Sequence, residues 1–462
     1  MLRLLLLSVV VVLVRYGSAK TCPSRSFIEG SLIDAHIPGT AIIVVNTTDI
    51  LYQEAFGYQS LFPMKMMDVN KSIFVLASIS LSVVVVLVRY GSAKTCPSRS
   101  FIEGSLIDAH IPGTAIIVVN TTDILYQEAF GYQSLFPMKM MDVNKSIFVL
   151  ASISKTFIAV AVMQLVELNR LDLDTDINQY LSSPNQRISH PQYPSHAITL
   201  RQLLSHSASI GINEETDLTF MQHEDDAFMQ MSLADACFTY LSHNTSNWLP
   251  KPPGTVTLYS NVGTSLAGLV IERVTQMPWL RLSDIEDREE LVKQYAFNTS
   301  YLKAWNQALP QLNITKNPSL DWLYIPFYSM SIYPAGLLRM SAQSLSKFLR
   351  MFMNNGSSLL HPRSIDEMRK VVNGVVPYDN SNPPILSFGL IWNWQKLRNR
   401  QRYIGHGGSM PGATHSMLIN EQGTIGVIVL TNADVSPHND ISIRTRGKIE
   451  DIQMSLFSCF EN

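Results

Sequence analysis

What this chain has little of narrows its function first. Only 16% of its 462 residues are charged, 35 Lys and Arg stand against 37 Asp and Glu, and the formal net charge is −2. Gripping nucleic acid or an anionic membrane takes a basic face, so nucleic acid is not an expected partner. The densest basic run, Lys396, Arg398, Arg400 and Arg402, alternates and reads as the solvated face of a strand. Cys22, Cys96, Cys237 and Cys459 stand far apart. No C-x-x-C pair and no Cys/His cluster points to a metal, and none is expected. Low charge with 46% hydrophobic residues excludes a disordered chain and describes a globular one with a large core.

Long apolar runs are also scarce. The first, Leu4 to Val14, follows Met1-Leu2-Arg3 and precedes Gly17-Ser18-Ala19, the pattern of a signal peptide over residues 1–19. Arg15, between the run and the cleavage site, makes a signal anchor the lesser alternative. N-x-S/T acceptors at Asn46, Asn70, Asn120, Asn144, Asn244, Asn298, Asn313 and Asn355 agree with secretion or a secretory-pathway lumen. Residues 7–80 recur without a change at 81–154. The repeat brings a second signal-like stretch, so that Ser72 to Val88 is a 17-residue run without charge. That is barely a bilayer's span, and membrane association is the lesser reading. A perfect repeat present only twice is no solenoid. Residues 20–94 read as an extra copy and residues 95–460 as the working domain.

The copies part at one chemical position. The second reads Ser152-Ile153-Ser154-Lys155, where the first reads Ser78-Ile79-Ser80-Leu81. An almost wholly apolar helix follows Ser152, which places the serine at a helix N-terminus and Lys155 less than one turn away. A lysine buried there gives up its proton more easily and is suited to take one from the serine hydroxyl. Spacing alone is weak evidence, because Ser300-Tyr301-Leu302-Lys303 and Ser344-Leu345-Ser346-Lys347 fit it too.

Element patterns run in an informative order. A helix over 95–110, strands over 115–119 and 124–132 and the Ser152 helix come first. A mostly helical middle follows, with a Thr199-capped helix over 198–206 and a helix over 262–276. Residues 281–330 are poorly periodic. A helix over 341–353, strands over 388–394, 402–406, 416–420 and 426–430, and a helix over 443–457 close the chain. These predict an α+β fold: an antiparallel sheet built from the N- and C-terminal parts, flanked by helices, with an inserted helical region.

Ser152-x-x-Lys155, Tyr259-x-Asn261 and His406-x-Gly408 stand in the order found in the serine β-lactamase and penicillin-binding-protein superfamily, which the chain strongly resembles. Leu171-Asp172-Leu173-Asp174, Leu203-Leu204-Ser205-His206, Pro253-Gly254-Thr255 and Gly405-His406-Gly407-Gly408 match its style, nearest to class C β-lactamases, D-amino-acid peptidases and related esterases. Tyr378-Asp379-Asn380 also fits Y-x-N but lies among prolines. The resemblance implies Ser152 as nucleophile, with Lys155 and a lowered-pKa Tyr259 sharing the proton traffic. It implies Asn261 orienting Lys155 and substrate, and an oxyanion hole from the backbone N–H groups of Ser152 and of Ser409 on an edge strand, with Gly407 and Gly408 leaving room for substrate. No cofactor is implied, and the partner is a small-molecule or peptide substrate. His406 stands where many β-lactamases have lysine, which favours an ester, amide or D-peptide over a β-lactam. The resemblance also puts the first and last helices side by side, pairing Cys96 with Cys459 and leaving Cys237 a buried thiol. The alternative is a catalytically silent binding or scaffold protein on the same fold.

Overall fold

The computed structural model describes residues 39–45, 50–61 and 64–66 as backbone, and residues 96–461 apart from 182–185, 225–229, 243–245, 278–287, 317–320, 379–385 and 435–439. The chain divides into two compact units, Met1–Ser92 with Asn462, and Ala93–Glu461. Within the first, Gly39–Val45, Ile50–Leu61 and Met64–Met66 form a three-stranded antiparallel sheet of their own. The signal-peptide segment, Cys22 and the whole uncharged run at 72–88 lie outside the described residues. Among the described residues no helix is long and apolar enough to cross a membrane.

The second unit is built on one eight-stranded sheet. Its strands are β1 (Gly113–Val119), β2 (Ile124–Leu135), β3 (Met138–Met140), β4 (Leu386–Phe388), β5 (Asn393–Lys396), β6 (Arg402–Met410), β7 (Ala413–Asn420) and β8 (Gly426–Thr431). They run in the order β4-β5-β6-β7-β8-β1-β2-β3 with every pairing antiparallel. The termini therefore meet at the β8–β1 pair, where Gly426 to Thr431 lie opposite Val119 to Thr114. This is the α+β fold expected from the sequence.

Strict alternation along the central strands explains why they read as continuous apolar runs. Ile116, Val118, Val427 and Val429 face a core shared with helices Arg99–Asp108 and Asp440–Phe460. Ala115, Ile117, Val119, Ile428 and Leu430 face the opposite core, formed with the helical middle of the chain. Both faces are covered, so the strand middles are apolar, while Thr114 and Thr431 at the strand ends are buried with their hydroxyls donating to the carbonyls of Leu430 and Thr414. Cys96, just before the first terminal helix, is joined to Cys459 in the last by a disulfide with its Cα atoms 4.7 Å apart. Cys237 is free and buried.

Two local expectations change. The strand expected over 388–394 is two strands, β4 and β5, separated by a turn in which Ile391 adopts φ +67°. Trp392 beyond it is buried in a stack on Phe352, with ring centroids 3.6 Å apart, and this packing keeps an apolar segment in a turn. The basic run is not a strand face. Lys396 ends β5 and Arg402 begins β6, so Arg398 and Arg400 occupy the hairpin between them, with Arg398 paired to Glu450 and Asp451.

Candidate active site

The Ser152 turn is held from three sides. Ala151–Ile153 is a single 3-10 turn feeding the helix Ser154–Glu167, with Ala151 in a left-handed conformation at φ +48°. Such a conformation costs a non-glycine residue energy and persists where neighbours enforce it. Here Leu150 N–H donates to Leu338 O (2.8 Å), Leu338 N–H donates to Ser154 Oγ (3.1 Å), and His415 Nε2–H donates to Val149 O (2.7 Å). His415 sits on β7 opposite Gly408 of β6. A side chain at Gly408 would close that approach, since an added Cβ would stand 2.6 Å from Leu150 O and 3.2 Å from Ala151 Cβ.

Ser152 ends up beside a lysine that water does not reach. Lys155 is fully buried, its Nζ 3.0 Å from Ser152 Oγ and 2.6 Å from the carbonyl oxygen of Ala335. Burial pulls the amine down to about 7, offset in part by the negative charge of Asp217. A neutral amine donates to Ala335 and has its lone pair free for the serine proton. Tyr259 lies on the other side, its ring centroid 5.1 Å from Lys155 Nζ. Among the described residues its buried hydroxyl has no hydrogen-bond partner meeting normal geometry. Burial pushes the phenol up from its ordinary value, with the Ser152 hydroxyl only partly opposing. The resemblance implied a lowered phenol, and the low-dielectric surroundings give the reverse.

Asn261 also sits differently from expectation. It opens the helix Asn261–Thr275 after the Ser260 N-cap, and its Nδ2 donates to Asp217 Oδ2 at 3.1 Å. Among the described residues it makes no hydrogen bond to Lys155. The Ala335 carbonyl does that work. Segment 332–335 is itself held by this helix, through Ser265 Oγ–H to Ile332 O (3.1 Å) and the contact of Gly268 with Pro334. Asp217, Tyr240, Tyr259, Ser260, Asn261, Gly211 and Ile212 line a cleft of about 200 Å³ beside Tyr259.

His406, Gly408 and Ser409 all lie on β6, which was expected to be an edge strand. It is internal from Arg402 to Gly405, where β5 pairs with it, and open on that side from His406 to Met410. Along that stretch His406 and Gly408 are buried while Gly407 and Ser409 are exposed. His406 Nδ1–H donates to Gly407 O (2.6 Å), leaving Nε2 buried without a partner among the described residues. Burial, with the Lys155 charge adding, draws the ring down to about 4 although the Gly407 hydrogen bond opposes it. His406 is therefore neutral at physiological pH.

One residue of the site escaped the sequence reading except as a flanking match. His206 is buried with its ring centroid 4.4 Å from that of Tyr259, and the nearby Lys155 and His406 add to the burial that holds it well below the usual histidine range. The available signal was a histidine just past the Ser205 C-cap of a short capped helix, Leu200–Leu204.

The Beta-lactamase family pattern matches residues 99–449. Protein flp of Staphylococcus aureus (strain MW2) is 21% identical over 72% of the chain, which spans only 62% of that relative's length. Penicillin-binding protein 4 of Amycolatopsis lactamdurans is 24% identical over 75% of this chain and 87% of its own. Among solved structures, D-amino acid amidase from Ochrobactrum anthropi SV3 superposes with a TM-score of 0.59 at 17% identity, covering 77% of this chain and 97% of that one. EstCE1, a hydrolase with promiscuous acyltransferase activity, gives 0.57 at 18% identity over 78% and 97%. With the family pattern spanning most of the chain and the fold shared, this chain belongs to the beta-lactamase family.

Proposed function

We propose that the chain is a serine hydrolase acting through an acyl-enzyme on an ester, amide or D-peptide. The observation that carries this reading is the fully buried Lys155 amine, 3.0 Å from Ser152 Oγ and brought down to about 7. Ser152 Oγ attacks the acyl carbon as its proton passes to Lys155 Nζ. The backbone N–H groups of Ser152 and Ser409 stabilise the oxyanion that forms. As the C–O or C–N bond to the leaving group breaks, the Tyr259 phenol gives that group a proton and is reprotonated by the Lys155 ammonium. Water then attacks the acyl-enzyme, its proton returns through the same pair, and Ser152 departs as the hydroxyl. Asn261, bonded to Asp217, borders the cleft where the acyl group would lie. A scaffold protein has no use for a lysine buried beside a serine at a cost in stability.

The substrate reading rests on His406. A neutral ring offers no cation to a substrate carboxylate, which supports neutral esters and amides over β-lactams. Steady-state hydrolysis of short acyl esters and amides, beside acylation by a labelled penicillin, tests it. Ester or amide turnover with slow or absent penicillin labelling is expected. Rapid penicillin labelling with no ester or amide turnover would overturn the substrate assignment.

A further inference from the structure

Tyr259 stands in the irregular stretch between the strand Val256–Thr257 and the helix Asn261–Thr275, where a tyrosine ring is free to choose among rotamers unless something fixes it. Phe388, His406 and Lys155 border the ring, and His206 holds the backbone as well. His206 takes the backbone N–H groups on both sides of Tyr259: Leu258 N–H donates to His206 O at 2.9 Å, and Ser260 N–H donates to His206 Nδ1 at 3.2 Å. Its ring lies against the Tyr259 ring at a 39° tilt and is backed by Phe388, edge-on at 4.8 Å. The next residue continues the attachment, with Gly254 N–H donating to Ser207 O at 2.7 Å. His206 does this from a left-handed backbone conformation, φ +56°, which histidine adopts at a cost.

Resting on the hydrolase reading, we propose that His206 is the positioning residue for Tyr259, a neutral ring whose Nδ1 and backbone carbonyl clamp the chain on either side of the tyrosine and aim its phenol at the leaving group. The two clamps need different things. The carbonyl is available from any residue, but the second needs an acceptor two bonds beyond Cβ and a flat group beneath the tyrosine. Because Nδ1 accepts from Ser260, the neutral ring carries its proton on Nε2, and among the described residues that buried atom has no partner. Protonating the ring would remove the acceptor. Burial and the neighbouring Lys155 charge oppose this, so the clamp is kept.

A positioning role for a proton donor has a signature that a merely structural role lacks. Fluorophosphonates expel fluoride and p-nitrophenyl esters expel a stable phenolate, and neither needs a proton from the protein. An ethyl ester does. Three proteins are compared: wild type, His206→Leu, which has no acceptor, and His206→Asn, whose Oδ1 takes the place of Nδ1 and which tolerates a left-handed backbone. For each, kcat/KM is measured on the p-nitrophenyl and ethyl esters of one short acyl chain, with the fluorophosphonate labelling rate as the check on fold and acylation. His206→Leu is expected to label within about 3-fold of wild type and to lose under about 5-fold on the p-nitrophenyl ester. On the ethyl ester it is expected to lose at least about 50-fold, within the range of a displaced general acid. His206→Asn should regain most of the ethyl-ester rate. Equal losses on both esters, or Asn no better than Leu, would overturn the proposal. So would an unchanged Leu variant. Wild-type protein that takes no fluorophosphonate label would overturn the hydrolase reading itself, a result distinct from all of these.

Discussion

The pH dependence of Ser152 acylation follows from where Lys155 lies. An ordinary lysine at about 10.5 is neutral in only about 3 molecules in 10⁴ at pH 7. With the amine at about 7, half are neutral there. Burial therefore raises the supply of base by about 10³-fold at neutral pH. The second-order rate of fluorophosphonate labelling, measured by intact mass from pH 5 to 9.5, should rise tenfold per pH unit below about 6, reach half its maximum near pH 7 and level off above 8. The same burial has a stability consequence of defined sign. Between pH 7 and 10.5 the unfolded chain holds a proton on Lys155 that the folded chain does not, so stability rises with pH across that window and the burden is greatest below it. At about 1.4 kcal/mol per pH unit the full burden is about 5 kcal/mol. Lys155→Met removes it. The variant's advantage over wild type in denaturant unfolding should shrink by about 3 kcal/mol between pH 6 and pH 9.5, while its labelling is abolished. A labelling midpoint near 10, or a Met variant whose advantage is the same at both pH values, would refute the argument that burial makes Lys155 the base.

Other perturbations follow from single contacts. Asp217 is the charge that holds the Lys155 amine up against burial, so Asp217→Asn should move the acid limb of the labelling profile to lower pH. A shift to higher pH would contradict it. Gly408→Ala puts a methyl group 2.6 Å from Leu150 O and should push the nucleophile turn from β6. A loss of at least about 100-fold in kcat/KM with about 1–3 kcal/mol of stability is expected, read by kinetics and thermal unfolding. The Cys96–Cys459 disulfide closes a loop of sequence separation 363. The double change to serine should cost about 2–5 kcal/mol in non-reducing unfolding and nothing when both proteins are reduced.

How much of this was legible in the sequence depended on whether the signal was periodic or three-dimensional. The sheet strands of both chain ends carried their own evidence, because Ile116 to Val119 and Val427 to Leu430 are buried on two faces and read as unbroken apolar runs. The Ser152 helix was equally plain. The turn at Ile391 was not, since its apolar residues are held by Trp392 packing on Phe352, a contact between segments far apart in sequence. Within the site, Ser152 and Lys155 are joined by helical geometry that spacing alone encodes. Tyr259 is not near them in sequence, and only its order among the motifs placed it there. The Ala335 carbonyl that holds Lys155 and the Asp217 carboxylate that takes Asn261 have no motif of their own, and His206 showed only as the end of a flanking match with no role attached. Backbone acceptors are invisible in a sequence, and a buried histidine looks like any other. The upward displacement of the Tyr259 phenol likewise comes from burial that only the folded chain displays.

Intact mass after incubation with a fluorophosphonate reads directly whether Ser152 is a nucleophile activated by Lys155. Wild-type protein should gain one adduct, mapped to the peptide carrying Ser152, and Ser152→Ala should gain none. An adduct that persists in Ser152→Ala, or folded wild-type protein that stays unlabelled at pH 8, where Lys155 is neutral, would contradict the account.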